Sequence, residues 1–216
     1  MSVKNLTHQK EDWQDIWRRS GWLTSFVDLG RSAYNWFFRR YLRKFISKNT
    51  RLLELGCGTS TLTLSLANEI GELVGIDITE AAIELSNKHG RKMKVSNYRF
   101  ELGDCLNLSY EDEFDVVWSQ GLMEHFEYPE KIATEHFRAT KRGGIALISV
   151  PYKYSYHALW YLLTRPKLLR NFWPWTDQLF LDKKKLLEIG RQLTPNARVR
   201  FLQPFLLGII ILELPK

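Results

Sequence analysis

The stretch Leu52-Leu53-Glu54-Leu55-Gly56-Cys57-Gly58-Thr59-Ser60 decides the fold. An apolar run ends on an acidic residue, two glycines follow one residue apart, and helical spacing begins at Thr61. Glycine takes positive φ without a Cβ clash and lets a backbone approach a ligand closely. This is therefore a strand-to-helix turn of the kind that binds cofactors at the carboxyl edge of an open α/β sheet. By itself it is only moderately specific, because a plain βα turn can look the same.

Downstream, short Leu-rich or β-branched runs alternate with longer helical patterns, which predicts βαβ units and a mostly parallel sheet. Strands are expected near Leu52–Leu55, Leu73–Asp77, Tyr98–Leu102, Phe114–Ser119, Ile145–Val150, Val199–Leu202 and Ile209–Glu213. Helices are expected near Thr61–Ile70, Thr79–His89, Pro129–Thr140 and Lys183–Leu193. The fold class is α/β, a doubly wound, seven-stranded, Rossmann-like sheet whose last two strands form an antiparallel hairpin. Two segments break the alternation. Residues 1–50 read as an N-terminal helical extension or lid, and 152–181 as a substrate cap inserted into a domain that spans 51–216.

Asp77 ends the second strand about 20 residues after the glycines, where a carboxylate can accept hydrogen bonds from both hydroxyls of a ribose. Gly103-Asp104-Cys105 follows the third strand, and Phe114-Asp115-Val116-Val117-Trp118-Ser119 is the fourth. A nicotinamide dinucleotide site uses the same strand–turn–helix physics but wants G-x-G-x-x-G, so that a pyrophosphate sits on the helix N-terminus. Here the last position is Thr61, and the acidic Glu54 would repel a pyrophosphate while suiting a cation.

In this order and spacing, Glu54-Leu55-Gly56-Cys57-Gly58, Asp77, Gly103-Asp104 and Phe114-Asp115-Val116-Val117 resemble the successive motifs of class I S-adenosylmethionine-dependent methyltransferases. The resemblance covers roughly residues 51–150. Within that family, Gly121-Leu122-Met123-Glu124-His125-Phe126 followed by Pro129 is similar to small-molecule methyltransferases of the ubiquinone-biosynthesis and polysaccharide-cluster kinds. The resemblance implies S-adenosyl-L-methionine as cofactor, with Glu54 and the Gly56-Cys57-Gly58 backbone on its methionine part, Asp77 on the ribose, and Asp104 with Cys105 on the adenine. Ile78, Ser119 and Gln120, at the strand ends, complete the expected cofactor set. Ser60 departs from the pattern, since many members have a third glycine there.

Methyl transfer from a sulfonium needs positioning more than it needs a base. His125, after the fourth strand and with a near-neutral ordinary pKa, is the candidate base or acceptor-positioning residue, and Glu124 its neighbour. Tyr152, Tyr154, Tyr156 and His157 follow the fifth strand at the same sheet edge and are expected to line an acceptor pocket. His89 and His136 fall in helical patterns away from the strand ends and read as surface or core residues.

Two cysteines cannot build a disulfide framework, and no Cys/His spacing resembles a zinc site, so no metal is expected. Met1-Ser2-Val3-Lys4 runs into polar residues rather than a signal segment, and no apolar run is long enough to span a bilayer, which makes the cytoplasm the expected address. Charge is uneven. Residues 1–50 carry ten Lys/Arg against four Asp/Glu, residues 51–150 ten against sixteen, and residues 151–216 eleven against four. Such flanks suit nucleic acid, an anionic membrane surface or an anionic substrate.

Three functional readings follow. The first is methyl transfer to a small-molecule, lipid or sugar acceptor, at oxygen. The second is a nucleic-acid methyltransferase, although Ser119-Gln120-Gly121-Leu122 is unlike the Asn/Asp-Pro-Pro-aromatic motif of exocyclic-amine methylation. The third is a non-catalytic protein that binds the cofactor. On a helical wheel Tyr34, Phe37, Phe38, Tyr41, Leu42 and Phe45 oppose Arg39, Arg40, Arg43 and Lys44, with Trp36 on the basic side. Residues 151–176 hold no acidic residue. A lid that also makes peripheral contact with an anionic membrane surface is the expectation for these two segments.

Overall fold

The computed structural model describes residues 10–11, 13–14, 17, 35–155, 158–159, 178–203 and 208–216. Seven strands form one sheet: β1 (Arg51–Leu55), β2 (Glu72–Asp77), β3 (Tyr98–Leu102), β4 (Phe114–Gln120), β5 (Thr140–Pro151), β6 (Arg198–Gln203) and β7 (Ile209–Pro215). Their order is β3-β2-β1-β4-β5-β7-β6. The first five pair in parallel, and β7 runs antiparallel to both β5 and β6. The chain winds outward from β1 through β3 and then returns to β4 on β1's other side. The sheet's switch point therefore lies between β1 and β4, beside the glycine turn.

Alternation along the strands splits the core into two layers. Leu53, Leu55, Val117, Ile148 and Leu212 point to one face, where they meet Ile132 and Ala133 of a helix α4 (Pro129–Ala139) and Leu186 and Ile189 of a helix α5 (Lys183–Arg191). Leu52, Leu73, Val116, Trp118, Leu147 and Ile211 point to the other. Proline at the first turn of α4 costs no hydrogen bond, and Asp182 caps α5 by accepting the Lys185 N–H at 2.8 Å.

The second face is covered by a helix at residues 35–42, α1, and by the start of α2 (Thr61–Leu64). Phe38 and Leu42 of α1 are fully buried, and Phe38 meets Trp118 edge-on at 5.3 Å between ring centroids. The Tyr41 hydroxyl donates to Glu213 on β7 at 2.6 Å, and Arg43 makes a two-point pair with Glu69. The apolar stripe of the expected amphipathic helix thus packs on the sheet and its charged stripe faces out.

Three boundaries differ from expectation. The helix expected over Thr61–Ile70 breaks into α2 and a single 3-10 turn at Ala67–Glu69, because the Ser65 hydroxyl bonds the Leu62 carbonyl and competes with helix continuation. The next helix, α3 (Glu80–Lys92), runs one turn longer. Strand β5 begins at Thr140 rather than Ile145, with Gly143 at φ +80° and a register shift opposite Phe114 and Val116. Among the described residues no helix is long and apolar enough to cross a membrane.

Replacing Phe38 by Ala should destabilise the fold by about 3 to 5 kcal/mol, the usual cost of truncating a fully buried aromatic ring. Urea unfolding read by circular dichroism measures this, and a loss below about 1 kcal/mol would show that α1 is not part of the folded core.

Candidate functional site

The turn after β1 holds Gly56, Gly58 and Ser60 at φ +65°, +52° and +49°. A Cβ at Gly56 would stand 2.7 Å from Leu122 Cδ1, and one at Gly58 would stand 2.8 Å from the Trp17 ring. Both glycines are thus required by backbone conformation and by close approach. Ser60 tolerates the left-handed region because its hydroxyl is used: it donates to Glu54 Oε2 at 2.6 Å, and Thr63 Oγ1 donates to the same oxygen at 2.5 Å. The serine that departs from the family pattern therefore helps to hold the strand-end carboxylate.

Neighbouring strands and α3 complete the turn. Asp77 Oδ2 accepts the Gly58 N–H at 3.0 Å, and its Oδ1 accepts both the N–H and the hydroxyl of Thr79. Burial raises the Asp77 carboxyl above its ordinary pKa, against the opposing pull of these donors. Ser86 donates to the Gly58 carbonyl at 2.8 Å and His89 Nδ1 lies 3.1 Å from the Thr59 carbonyl. His89 therefore supports the turn from behind, which its helical position did not disclose.

A cavity of about 230 Å³ opens at the carboxyl ends of β1, β2 and β4. Of the expected cofactor residues it brings together Glu54, Gly56, Cys57, Gly58, Asp77, Ile78, Asp104, Cys105 and Gln120, and it also brings His125 to the wall. Asp104 Oδ1 accepts the Leu106 N–H at 2.8 Å, which fixes the bend after β3. Burial pushes the Cys105 thiol up to about 12 and raises Cys57 as well, so both stay as protonated apolar lining. The wall also holds Trp13 and Trp17, stacked at 5.9 Å, and Trp13 meets the His125 ring edge-on at 5.1 Å. Their spacing of four residues on one helical face was the available signal in the sequence.

Four expected residues sit elsewhere. Ser119 is fully buried behind the cavity and does not line it. His136 Nδ1 donates to the Ile132 carbonyl at 2.7 Å, so its Nε2 is the acceptor, and the Ser119 hydroxyl donates to it at 2.8 Å. Burial lowers His136 to about 4, so the pair is a neutral bridge from α4 to β4 and its histidine is a core residue. Glu124 is 2% exposed and is absent from the wall, with Oε1 tucked behind Gly121. Tyr152 and Tyr154 also lie outside the cavity. The Tyr152 backbone is held by Gly208 and Leu181, which turns its ring onto Phe201 of β6, and Tyr154 is 70% exposed. Tyr156, His157 and most of the expected 152–181 cap fall outside the described residues.

With this geometry the comparisons with known proteins can be read. A methyltransferase-domain family model matches residues 46–189, and the chain belongs to that family. Its sheet order and fold are those of class I, Rossmann-like S-adenosylmethionine-dependent methyltransferases. An uncharacterised methyltransferase of Schizosaccharomyces pombe is 29% identical over 48% of this chain and 41% of its own length. A ubiquinone biosynthesis O-methyltransferase of Hydrogenovibrio crunogenus is 29% identical over 50% of this chain and 46% of its own. The chain thus spans about half the length, or less, of these relatives. The magnesium protoporphyrin IX methyltransferase of Synechocystis PCC 6803, solved with S-adenosylmethionine bound, superposes with a TM-score of 0.70 over 98% of this chain and 97% of its own, at 14% identity, a likeness of fold. Among the described residues no group of three or more His, Cys, Asp or Glu is placed to hold a metal ion.

Glu124 generates a pH prediction. Its Oε2 is buried with no hydrogen-bond partner among the described residues, and burial pushes the carboxyl from 4.5 up to about 8. The folded state then holds the extra proton, so stability falls as pH rises through this window. His136 acts oppositely between about 4 and 6.5, because there the unfolded chain binds the extra proton. From pH 6.5 to 8 the Glu124 contribution is unopposed by His136. Over that range urea midpoints of the wild type should fall relative to Glu124→Gln, with the folding constants diverging by at most about tenfold per pH unit. Parallel profiles would show that Glu124 is solvated or paired.

Proposed function

We propose that this protein transfers a methyl group from S-adenosyl-L-methionine to an oxygen of a small-molecule, lipid or sugar acceptor, in the cytoplasm. The observation that carries this reading is the cavity at the sheet's switch point, where three carboxylates and an imidazole converge on a glycine turn. Glu54, Asp77 and Asp104 make its lining acidic, and this suits a cofactor that carries a sulfonium, an ammonium and ribose hydroxyls better than one that carries phosphates. Gly56 and Gly58 present backbone to the cavity, and their missing Cβ atoms let Leu122 and Trp17 close on the turn beside the proposed place of the methionine part. Asp104 and Cys105 stand at the adenine end.

The bound cofactor supplies a methyl group on an already activated leaving sulfur. The acceptor oxygen forms the new bond to carbon while the carbon–sulfur pair returns to sulfur, and the acceptor proton must leave. His125, in the cavity wall beside Trp13, is the group positioned to take that proton or to orient the acceptor. Glu124, behind Gly121, acts through the backbone of this segment: its carbonyl accepts the Leu179 N–H at 2.6 Å and ties the stretch before α5 to the His125 turn. Ubiquinone-biosynthesis O-methyltransferases among the relatives support an oxygen acceptor. Tyr156 and His157, which lie outside the described residues, are proposed as acceptor contacts.

Calorimetry should show that the chain binds S-adenosylmethionine or S-adenosylhomocysteine without added metal, and that Gly58→Arg or Asp77→Ala weakens binding by about tenfold or more. Absence of binding by the wild type, or tight NAD binding in its place, would overturn the reading. His125→Ala should keep cofactor affinity within a few fold and lower turnover by about 100-fold, within the usual range for a lost acid–base group. S-adenosylhomocysteine release against lipid extracts, sugar nucleotides and total RNA identifies the acceptor, and unchanged turnover of His125→Ala on that acceptor would make His125 a wall residue.

A further inference from the structure

The outer stripe of α1 does not belong to the cavity just described. Trp36, Arg39, Arg40, Arg43 and Lys44 line an open depression on the protein surface. Trp36 is 57% exposed, its indole supported edge-on by Phe37 at 4.9 Å. Arg43 is committed to Glu69, and Lys44 lies over the Tyr41 ring. Arg39 adds to the field that lowers the Glu69 carboxyl, and neither Arg39 nor Arg40 makes an ion pair among the described residues.

Tertiary structure then adds charge that the sequence places more than 150 residues away. The Tyr41 hydroxyl donates to Glu213 on β7, and Arg200 of β6 stands 3.5 Å from the same carboxylate. Arg198 is the register partner of Glu213, so both arginines project on the sheet face that α1 covers. Arg198 and Arg200 thus add positive charge at the edge strand, on the sheet face that α1 covers.

We propose that this surface is a docking site for the phosphate headgroups of an anionic lipid bilayer. Phe38 and Leu42 anchor α1 in the core, so the helix cannot peel off to insert. It lies along the sheet and presents a cluster of cations with one indole among them, whose charge complements the phosphates of a membrane interface. Guanidinium groups take phosphate oxygens in two-point contacts, and a partly exposed indole settles at headgroup depth. The site deepens the lipid-acceptor reading of the proposed function, but its test reads binding alone and does not require methyl transfer.

Flotation of the purified chain with phosphatidylcholine vesicles, and with vesicles holding about one-third phosphatidylglycerol, measures the partition coefficient at about 0.05 M and about 0.5 M salt. The wild type should prefer the anionic vesicles by about tenfold or more at low salt and lose that preference at high salt. The Arg39→Gln/Arg40→Gln variant should lose about tenfold of its partition, and Trp36→Ala should weaken it at both salt concentrations. Lys183→Gln/Lys184→Gln, which removes the same charge from exposed positions at the start of α5, should bind as the wild type does. Thermal melts of all variants should coincide within a few degrees, since solvated charges add little to stability. Indifference of the wild type to anionic vesicles overturns the proposal, as does an equal loss in the α5 variant. Retention by immobilised RNA that depends on Arg39 and Arg40, with no vesicle binding, would assign the surface to nucleic acid instead. Loss of cofactor binding with vesicle binding intact would remove the proposed activity and leave this site standing.

Discussion

The turn between β1 and α2 places Gly56, Gly58 and Ser60 at positive φ within five residues, and the rest of the site depends on it. Left-handed backbone costs an ordinary L-residue about 1 to 2 kcal/mol, a cost that falls on Ser60 and not on the two glycines, and the surrounding hydrogen bonds offset it. Glu54 holds Ser60 and Thr63 from inside the turn, Asp77 holds the Gly58 N–H from the next strand, and Ser86 and His89 hold its carbonyls from α3. Two sequence-distant elements, β2 and α3, are locked to one bend. The carboxylates that do this locking are also those that line the cavity, so stability of the turn and electrostatics of the site rest on the same atoms.

Electrostatics separates the molecule into an acidic interior edge and basic exterior flanks. The cavity gathers Glu54, Asp77 and Asp104, whereas α1 and β6 turn arginines outward on the far side of their layer. A positively charged cofactor and a negatively charged partner can therefore bind to one small domain without competing for the same field. Solvent screening over about 8 to 10 Å keeps the two regions largely independent at physiological salt.

Behind the cavity, buried polar groups are treated in two ways. Ser119 and His136 satisfy one another in a neutral bridge that fixes α4 on β4. Glu124 instead has an oxygen with no hydrogen-bond partner among the described residues, and burial pushes its carboxyl up to about 8, so its burial costs stability that the surrounding core must offset. Such a group sits one residue from His125 in the cavity wall, and unsatisfied groups tend to collect near clefts of this kind.

The sequence alone determined the order and type of the seven strands, the doubly wound class and most of the residues that meet in the cavity wall, because each rests on short-range rules. A period of two marks strands, a glycine pair marks a bend, and an acidic residue at a strand end marks the carboxyl edge. It also placed α1's polarity correctly, with Phe38 and Leu42 inward and Arg40 outward. Tertiary structure alone decided which neighbours meet. Ser119 and Tyr152 were expected at the site from their positions at strand ends, but side-chain direction and long-range pairing turned one to His136 and the other to Phe201. Trp13, Trp17 and His89 joined the site from segments whose local patterns carry no address, and Arg200 reached α1 only through antiparallel pairing with β7. Local propensity is written within a few residues of chain, whereas contact between distant residues follows from the packing of whole layers, which short-range pattern does not encode.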